Sequence, residues 1–173
     1  MQINVAQLLK EQIGSTRNCA VDAAVDVAGN DSRVQGEVKL TRTDRAVLVE
    51  GVLHTEVQVS CGRCLSMFNC PLTIKIEEEY YPAIDVLTGA PLSLADEPGS
   101  FTIDEHHNLD LTEAIRQYVM VAIPMKPLCR EDCAGLCPQC GKNLNQGPCG
   151  CRPEKMDSRL TKLAELVPHK KRK

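Results

Sequence analysis

The chain has 173 residues, enough for one domain or one domain with a small appendage. Its 43% apolar content can fill a core, but with no Trp, three Tyr and two Phe that core must be built from Val, Leu, Ile and Ala, and no apolar run reaches the roughly 18 residues of a membrane-spanning helix. The formal charge of −3 is unevenly spread: residues 1–128 carry 10 basic and 18 acidic side chains, whereas residues 129–173 carry 10 basic and 5 acidic.

The first predicted element is a short helix over residues 4–13. Asn4 is placed to cap it, Gln7 falls at the capping-box position, and Val5, Leu8, Leu9 and Ile13 share one face. This opening, MQINVAQLLKEQ, has no basic start followed by an apolar stretch and so does not read as a secretory signal. The expected location is the reducing cytoplasm, where clustered cysteines are metal ligands or catalytic thiols rather than disulfides.

Residues from about Cys19 to Tyr81 read as strands. Leu53, Thr55, Val57 and Val59 alternate with His54, Glu56, Gln58 and Ser60, and Leu72, Ile74 and Ile76 alternate with Thr73, Lys75 and Glu77. A period of two means one buried and one wet face, as in an antiparallel sheet. Gly29-Asn30-Asp31, Asp44 and Gly51 are expected at turns or bulges. Residues 82–109, acidic and interrupted by Pro82, Pro91, Pro98, Gly89 and Gly99, read as a long flexible loop. A helix follows, capped by Asp110 with Glu113 completing a capping-box-like pair, periodic through Leu111, Ala114, Ile115, Tyr118, Val119 and Ala122, and stopped by Pro124 and Pro127. After a cysteine-rich stretch, Leu160, Leu163, Ala164 and Val167 predict one more short helix.

Six of the ten cysteines lie in CREDCAGLCPQCGKNLNQGPCGC: Cys129, Cys133, Cys137, Cys140, Cys149 and Cys151. Cys61 and Cys64 form a further pair in SCGRCLSMF, while Cys19 and Cys70 stand alone. Zn²⁺ takes four thiolates in a tetrahedron, and a Cys-x-x-Cys turn supplies two of them. Cys61-Gly62-Arg63-Cys64 and Cys137-Pro138-Gln139-Cys140 are two such half-sites. Six and two make eight, enough for two zinc ions per chain. The preferred pairing groups Cys137, Cys140, Cys149 and Cys151 in one local site, and joins Cys61 and Cys64 to Cys129 and Cys133 in a long-range one. A second partition, with Cys129, Cys133, Cys137 and Cys140 together and Cys149 and Cys151 completing the first knuckle, stays open.

Competing chemistries fit less well. A redox Cys-x-x-Cys belongs at a helix N-terminus, but the residues after Cys64 lead into a strand. An iron–sulfur cluster is compatible with four cysteines, although the Gly-rich knuckles favour zinc. A catalytic zinc keeps an open position and a nearby base, whereas all-cysteine sites are closed. His54, His106, His107 and His169 show no metal spacing, and His106-His107 reads as a solvated pair. Glu77-Glu78-Glu79 reads as the exposed end of a strand. No phosphate loop or nucleophile elbow is present. The chain is therefore expected not to be an enzyme.

CGRCLSMF and, after the Pro-ended helix, MKPLCREDCAGLCPQCGKNLNQGPCGC resemble the YceD family of bacteria and plastids, whose members are described as large ribosomal RNA subunit accumulation proteins. The layout of strand-rich half, acidic loop, helix ending in Pro and cysteine cluster is also similar. Cysteines 61, 64, 129, 133, 137, 140, 149 and 151 match the family pattern, and Cys19 and Cys70 do not, so those two read as small apolar residues. The resemblance implies a role in accumulation or processing of 23S ribosomal RNA and in large-subunit assembly, and supplies no catalytic set.

The combined expectation is an α+β protein: an antiparallel β-sheet or partly open barrel with a few helices and a C-terminal cysteine-rich zinc-binding module. Residues 1–81 supply the N-terminal helix and sheet, 82–109 the loop, and 110–173 the helix, zinc module and basic tail, with the parts flanking the loop forming one unit. RNA phosphates are expected to meet Arg130, Lys142, Arg152, Lys155, Lys170, Lys171, Arg172 and Lys173, with Arg159 and Lys162 extending that surface. The scarcity of aromatics argues against sequence readout by base stacking. The rival reading is an adaptor whose acidic half docks a ribosomal protein or assembly factor. A zinc-dependent redox switch is a third.

Overall fold

The computed structural model describes residues 1–27, 29–92 and 100–151, apart from the side chain of Asn30. Four long strands form an antiparallel meander: β2 (Thr16–Val27), β3 (Asn30–Arg42), β4 (Val47–Ser60) and β5 (Met67–Pro82). The alternation in the sequence fixes their faces. Val21, Val25, Val34, Val38, Leu40, Val49, Leu53, Val57, Ile74 and Ile76 are buried on one side, and polar side chains cover the other. Residue 29 turns β2 into β3, with Gly29 at φ +84° and its N–H donating to Asp26 Oδ1 at 2.8 Å.

Gly51 is not at a turn. It lies in the middle of β4, opposite Val38 and Ile76, and its neighbour across the sheet is Gly36, opposite Leu53. Both glycines lie on the core face. A Cβ on Gly51 would sit 2.5 Å from the Glu37 carbonyl oxygen, and one on Gly36 would strike the Val52 carbonyl. Two missing side chains side by side on the inner face let β3 and β4 close up and bend inward.

The bend carries the sheet around its helix. Helix α2 (Thr112–Ala122) buries Ala114, Ile115 and Val119 and packs against both β5 and β2, which are three strands apart. A helix about 10 Å wide can reach both only if the sheet curls into a half-barrel. Tyr118 pins the crossing, its hydroxyl donating to the Glu77 carbonyl at 3.1 Å. Cys19 and Cys70 pack, half-buried, against the same core, as small apolar residues do.

Three short strands widen the sheet beyond β5: β6 (Phe101–Ile103), β7 (Asn108–Asp110) and β1 (Gln2–Asn4), giving the order β1-β7-β6-β5-β4-β3-β2. β5 and β6 run parallel, so the sheet is mixed rather than wholly antiparallel. Residues 101–103 and 108–109, expected within a flexible loop, are thus part of the sheet, as is Asp110, expected as a helix cap. Each run is three residues long, too short to show a period. Tyr80 and Phe101 stack across the parallel pair with ring centroids 5.2 Å apart. At the far side, Arg17 of β2 donates to the Asn4 carbonyl of β1 at 3.4 Å, bringing the sheet's two edges within reach of each other.

Helix is scarcer than expected. α1 (Ala6–Lys10) and α2 have 5 and 11 residues, so the described residues are mostly β rather than a balanced α+β fold. In α1, Asn4 Oδ1 accepts from the Ala6 N–H at 3.2 Å and Leu8 and Leu9 are buried, but the helix stops before Ile13, which is exposed. In α2, Asp110 Oδ1 accepts from the Thr112 N–H at 2.9 Å. Glu113 does not reach back to close a capping box. It binds Arg116 and Gln117 instead, and these donors hold its carboxyl at about 2. The helix expected around Leu160–Val167 lies outside the described residues. Among the described residues no helix is long and apolar enough to cross a membrane.

Candidate metal centres

The turn between β4 and β5 and the segment after α2 meet at one end of the half-barrel. There the eight clustered cysteines form two groups, Cys61, Cys64, Cys129 and Cys133, and Cys137, Cys140, Cys149 and Cys151, with all four sulfurs of each group within 4.8 Å of one another. This grouping is the first of the two partitions open at the sequence level. In the first centre the Cys61 and Cys133 sulfurs are 3.8 Å apart and those of Cys64 and Cys129 are 3.7 Å apart. A disulfide would bring them to about 2.0 Å. Four thiolates about 2.3 Å from a central ion in a tetrahedron stand about 3.8 Å apart. The donor set and its spacing therefore fit a soft divalent metal with closed coordination.

The two Cys-x-x-Cys knuckles are built alike. Leu65 donates its N–H to the Cys61 carbonyl at 2.9 Å, and Gly141 donates to the Cys137 carbonyl at the same distance. Both residues are left-handed, at φ 59° and 71°. At each knuckle, backbone N–H groups point at the first sulfur. Those of Cys129, Cys64 and Arg63 hold the Cys61 thiol down at about 6, and those of Cys140 and Gln139 do the same for Cys137. Cys129 and Cys151 move the other way. Burial, then the neighbouring Cys64, pushes Cys129 up to about 12, and Cys140, then burial, pushes Cys151 up to about 12. A metal ion held by all four thiolates would displace the protons that these groups carry.

Leu65 occupies a position that suits glycine, with its side chain exposed. A left-handed conformation costs a Cβ-bearing residue about 1–2 kcal/mol, and glycine gives back about 0.5–1 kcal/mol through chain entropy. Leu65→Gly is therefore expected to keep the centre intact and to raise stability by about 0.5–1 kcal/mol, read as a higher midpoint in thermal unfolding. A lowered midpoint would mean that the exposed leucine has a stabilising partner.

The first centre doubles as a small core. Cys61, Cys64 and Cys133 are buried, and Phe68, Leu128 and Leu136 pack around them. The Gly62 N–H donates to the Pro127 carbonyl at 2.8 Å, and Arg63 Nη1 donates to the carbonyls of Cys133 (3.0 Å) and Glu131 (3.3 Å). Gly135, at φ +76°, passes close under the Arg63 backbone. The second centre is more open, with Cys137 buried and Cys140 exposed. It is shaped by a hairpin in which the Cys137 N–H donates to the Lys142 carbonyl and the Leu144 N–H to the Gly135 carbonyl, both at 2.9 Å.

Of the basic residues expected to meet phosphate, Arg130 and Lys142 are described. Both are exposed and both also hold the module together: Arg130 Nη2 donates to Asn145 Oδ1 at 2.6 Å, and Lys142 Nζ donates to the Pro148 carbonyl at 3.1 Å. Arg152, Lys155, Arg159, Lys162 and Lys170 to Lys173 lie outside the described residues. His54, His106 and His107 are not members of either cysteine group. His106 is solvated, but His107 is half-buried in a left-handed turn. Reading the sequence missed Arg63, Ser66, Asn143 and Asn145. The knuckle shared by CGRCL and CPQCG is legible in the sequence, but nothing there marks the asparagines.

A family model described as Large ribosomal RNA subunit accumulation protein YceD matches residues 49–167. An uncharacterized protein of Mycobacterium tuberculosis is 35% identical over 134 residues, which cover 76% of this chain and 60% of the relative. The protein named Large ribosomal RNA subunit accumulation protein YCED homolog 1, chloroplastic, of Arabidopsis thaliana is 26% identical over 155 residues (77% of this chain, 48% of the relative). Its namesake in Zea mays is 29% identical over 140 residues (67% and 47%). The chain spans about half to three-fifths of the length of these curated relatives. No solved structure matches it. The matched residues take in most of β4, all of β5 and α2, and all eight cysteines of the two centres, and the chain belongs to the YceD family.

Proposed function

We propose that this protein is a non-enzymatic factor for large-subunit ribosomal RNA accumulation, acting in the cytoplasm, and that it contacts RNA through a basic module held by two zinc ions. The observation that carries this reading is the pair of closed tetrathiolate clusters in a chain whose plant relatives are named for large ribosomal RNA subunit accumulation. Closed thiolate sites hold structure and leave no position for substrate. Zinc supplies rigidity here, holding the segments that carry Arg130 and Lys142, and the basic residues from Arg152 onward add to the charge of this end of the sequence. Phosphate contacts of this kind give affinity without sequence choice.

The outer face of β2 to β5 argues for a single orientation on RNA. It presents Asp22, Asp26, Asp31, Glu37, Glu50, Glu56, Glu77 and Glu79 against three cations, Arg33, Lys39 and Lys75. Arg33 is already paired with Asp22 at 2.6 Å. Such a face repels phosphate, so the module end must lead. The same face favours a second reading, in which the sheet docks a basic ribosomal protein or assembly factor and RNA contact is indirect.

A salt series with purified protein and a large-subunit RNA fragment separates the two. The expected result is binding that weakens steeply between 50 and 200 mM salt and whose slope falls by about four when Lys170 to Lys173 are removed. Binding absent at 50 mM salt would leave the adaptor reading in its place.

A further inference from the structure

The loop between Cys140 and Cys149 belongs to the second centre by sequence, yet its side chains serve the first. A 3-10 turn (Leu144–Gln146) in that loop projects Asn145 toward Cys133. Asn145 Nδ2 donates to Cys133 Sγ at 3.3 Å and to Asn143 Oδ1 at 2.9 Å. Its Oδ1 accepts from Arg130 Nη2 at 2.6 Å and from the Ala134 N–H at 2.9 Å. All four hydrogen-bonding positions of the amide are used, so its orientation is fixed. Asn143 adds a second tie, donating from Nδ2 to Ser66 Oγ in the first knuckle at 3.2 Å.

A divalent ion held by four thiolates has a net charge of −2, and each N–H aimed at a sulfur offsets part of it and fixes that ligand's rotamer. Asn145 is such a donor, and the loop that carries it is anchored at both ends by ligands of the other centre. We infer that Asn145 couples the two centres, so that metal in the second places the donor that tightens metal in the first, and the chain loads cooperatively. By linkage the first centre returns the same coupling to the second. Asn145 is a positioning residue, acting on the ion through Cys133. Arg130 acts one step further out by orienting Asn145. This inference rests on the reading of both clusters as zinc centres.

The test follows zinc release from the full chain, cysteine by cysteine. Zn²⁺-loaded protein is exposed to excess EDTA and iodoacetamide, and the alkylation rate of each cysteine is read by peptide mass spectrometry. Asn145→Ala is expected to unmask Cys61, Cys64, Cys129 and Cys133 about tenfold faster than in the parent chain. Asn145→Asp keeps the acceptor but puts a carboxylate against the sulfur, and its effect should be at least as large. Cys149→Ser, which opens the second centre, should accelerate the first centre by the same factor, and the double variant with Asn145→Ala should be no faster than either. Amide protection at Val38 and Leu53 checks that the sheet persists in each variant. The coupling is overturned if Asn145→Ala releases the first centre at the parent rate, or if the two factors multiply in the double variant. A parent chain that carries no zinc in native mass spectrometry would instead remove the metal reading and the coupling with it.

Discussion

Stripping the metal with a strong chelator is expected to detach residues 127–151 from the half-barrel while the sheet stays folded. The two regions are held by different forces. The sheet has a continuous apolar core running from Val5 through Leu53 and Ile76 to Val119. Its junction with the module is a cluster of three buried cysteines, Cys61, Cys64 and Cys133, with Phe68, Leu128 and Leu136 packed around them. Structural zinc contributes about 10–16 kcal/mol of apparent binding energy in small domains, and six side chains cannot replace it. Amide exchange should therefore show loss of protection at the N–H groups of Gly62, Cys137 and Leu144, which bond within and onto the module. Val38 and Leu53, on the central strands, should stay protected. Cys61→Ser should reproduce the loosening of residues 127–136 and leave the second centre weakened but occupied. Simultaneous loss of protection in the sheet and the module would show that the metal holds the whole domain together.

The second large effect is expected far from any cysteine. Gly36→Ala and Gly51→Ala should each cost on the order of 3 kcal/mol, because each new methyl enters the backbone of the facing strand and nothing flexible can yield. For Gly51 the obstacles are the Glu37 carbonyl at 2.5 Å and the Val38 Cα at 2.9 Å. A loss of this size lowers the midpoint of thermal unfolding by about 6–12 °C in a domain of this length. Gly29→Ala is the contrast, since no atom lies within 4 Å of its Cβ position. Its φ of +84° is left-handed, so its smaller loss would measure backbone strain alone. Equal midpoints for all three variants would mean that the bend is not set by the paired glycines.

What could be read from the sequence follows the physics of each feature. β4 and β5 were legible because Leu53, Thr55, Val57 and then Leu72, Ile74, Ile76 alternate long enough for the period to show. β1, β6 and β7 were not, since three residues show no period and their partners are supplied by distant chain. The fold expectation leaned too far toward helix for a related reason: Ile13 completes a helical pattern on paper, but the chain turns before reaching it. Gly51 looked like a turn because glycine's usual role is in turns. Its role here, a close approach between two backbones, depends on the facing strand, where Val38 lies opposite it and Gly36 is the diagonal neighbour. Cysteine arithmetic identified the groups, because four soft ligands per ion is a counting rule. The partition between groups needed three dimensions, and so did Asn145, since an asparagine in a polar loop reads the same whether it faces water or a sulfur.

The pairing of β1 with β7 has a consequence for how the chain is made. Ile3 lies opposite Leu109, so the first strand of the sheet cannot be seated until more than a hundred further residues exist. The meander of β2 to β5, by contrast, joins neighbours in sequence and can form as each hairpin leaves the ribosome. Val5, whose N–H donates to the His107 carbonyl, therefore spends most of synthesis without that partner. The sheet is completed from its first strand last, and a translation pause anywhere before residue 108 leaves β1 waiting with an open edge.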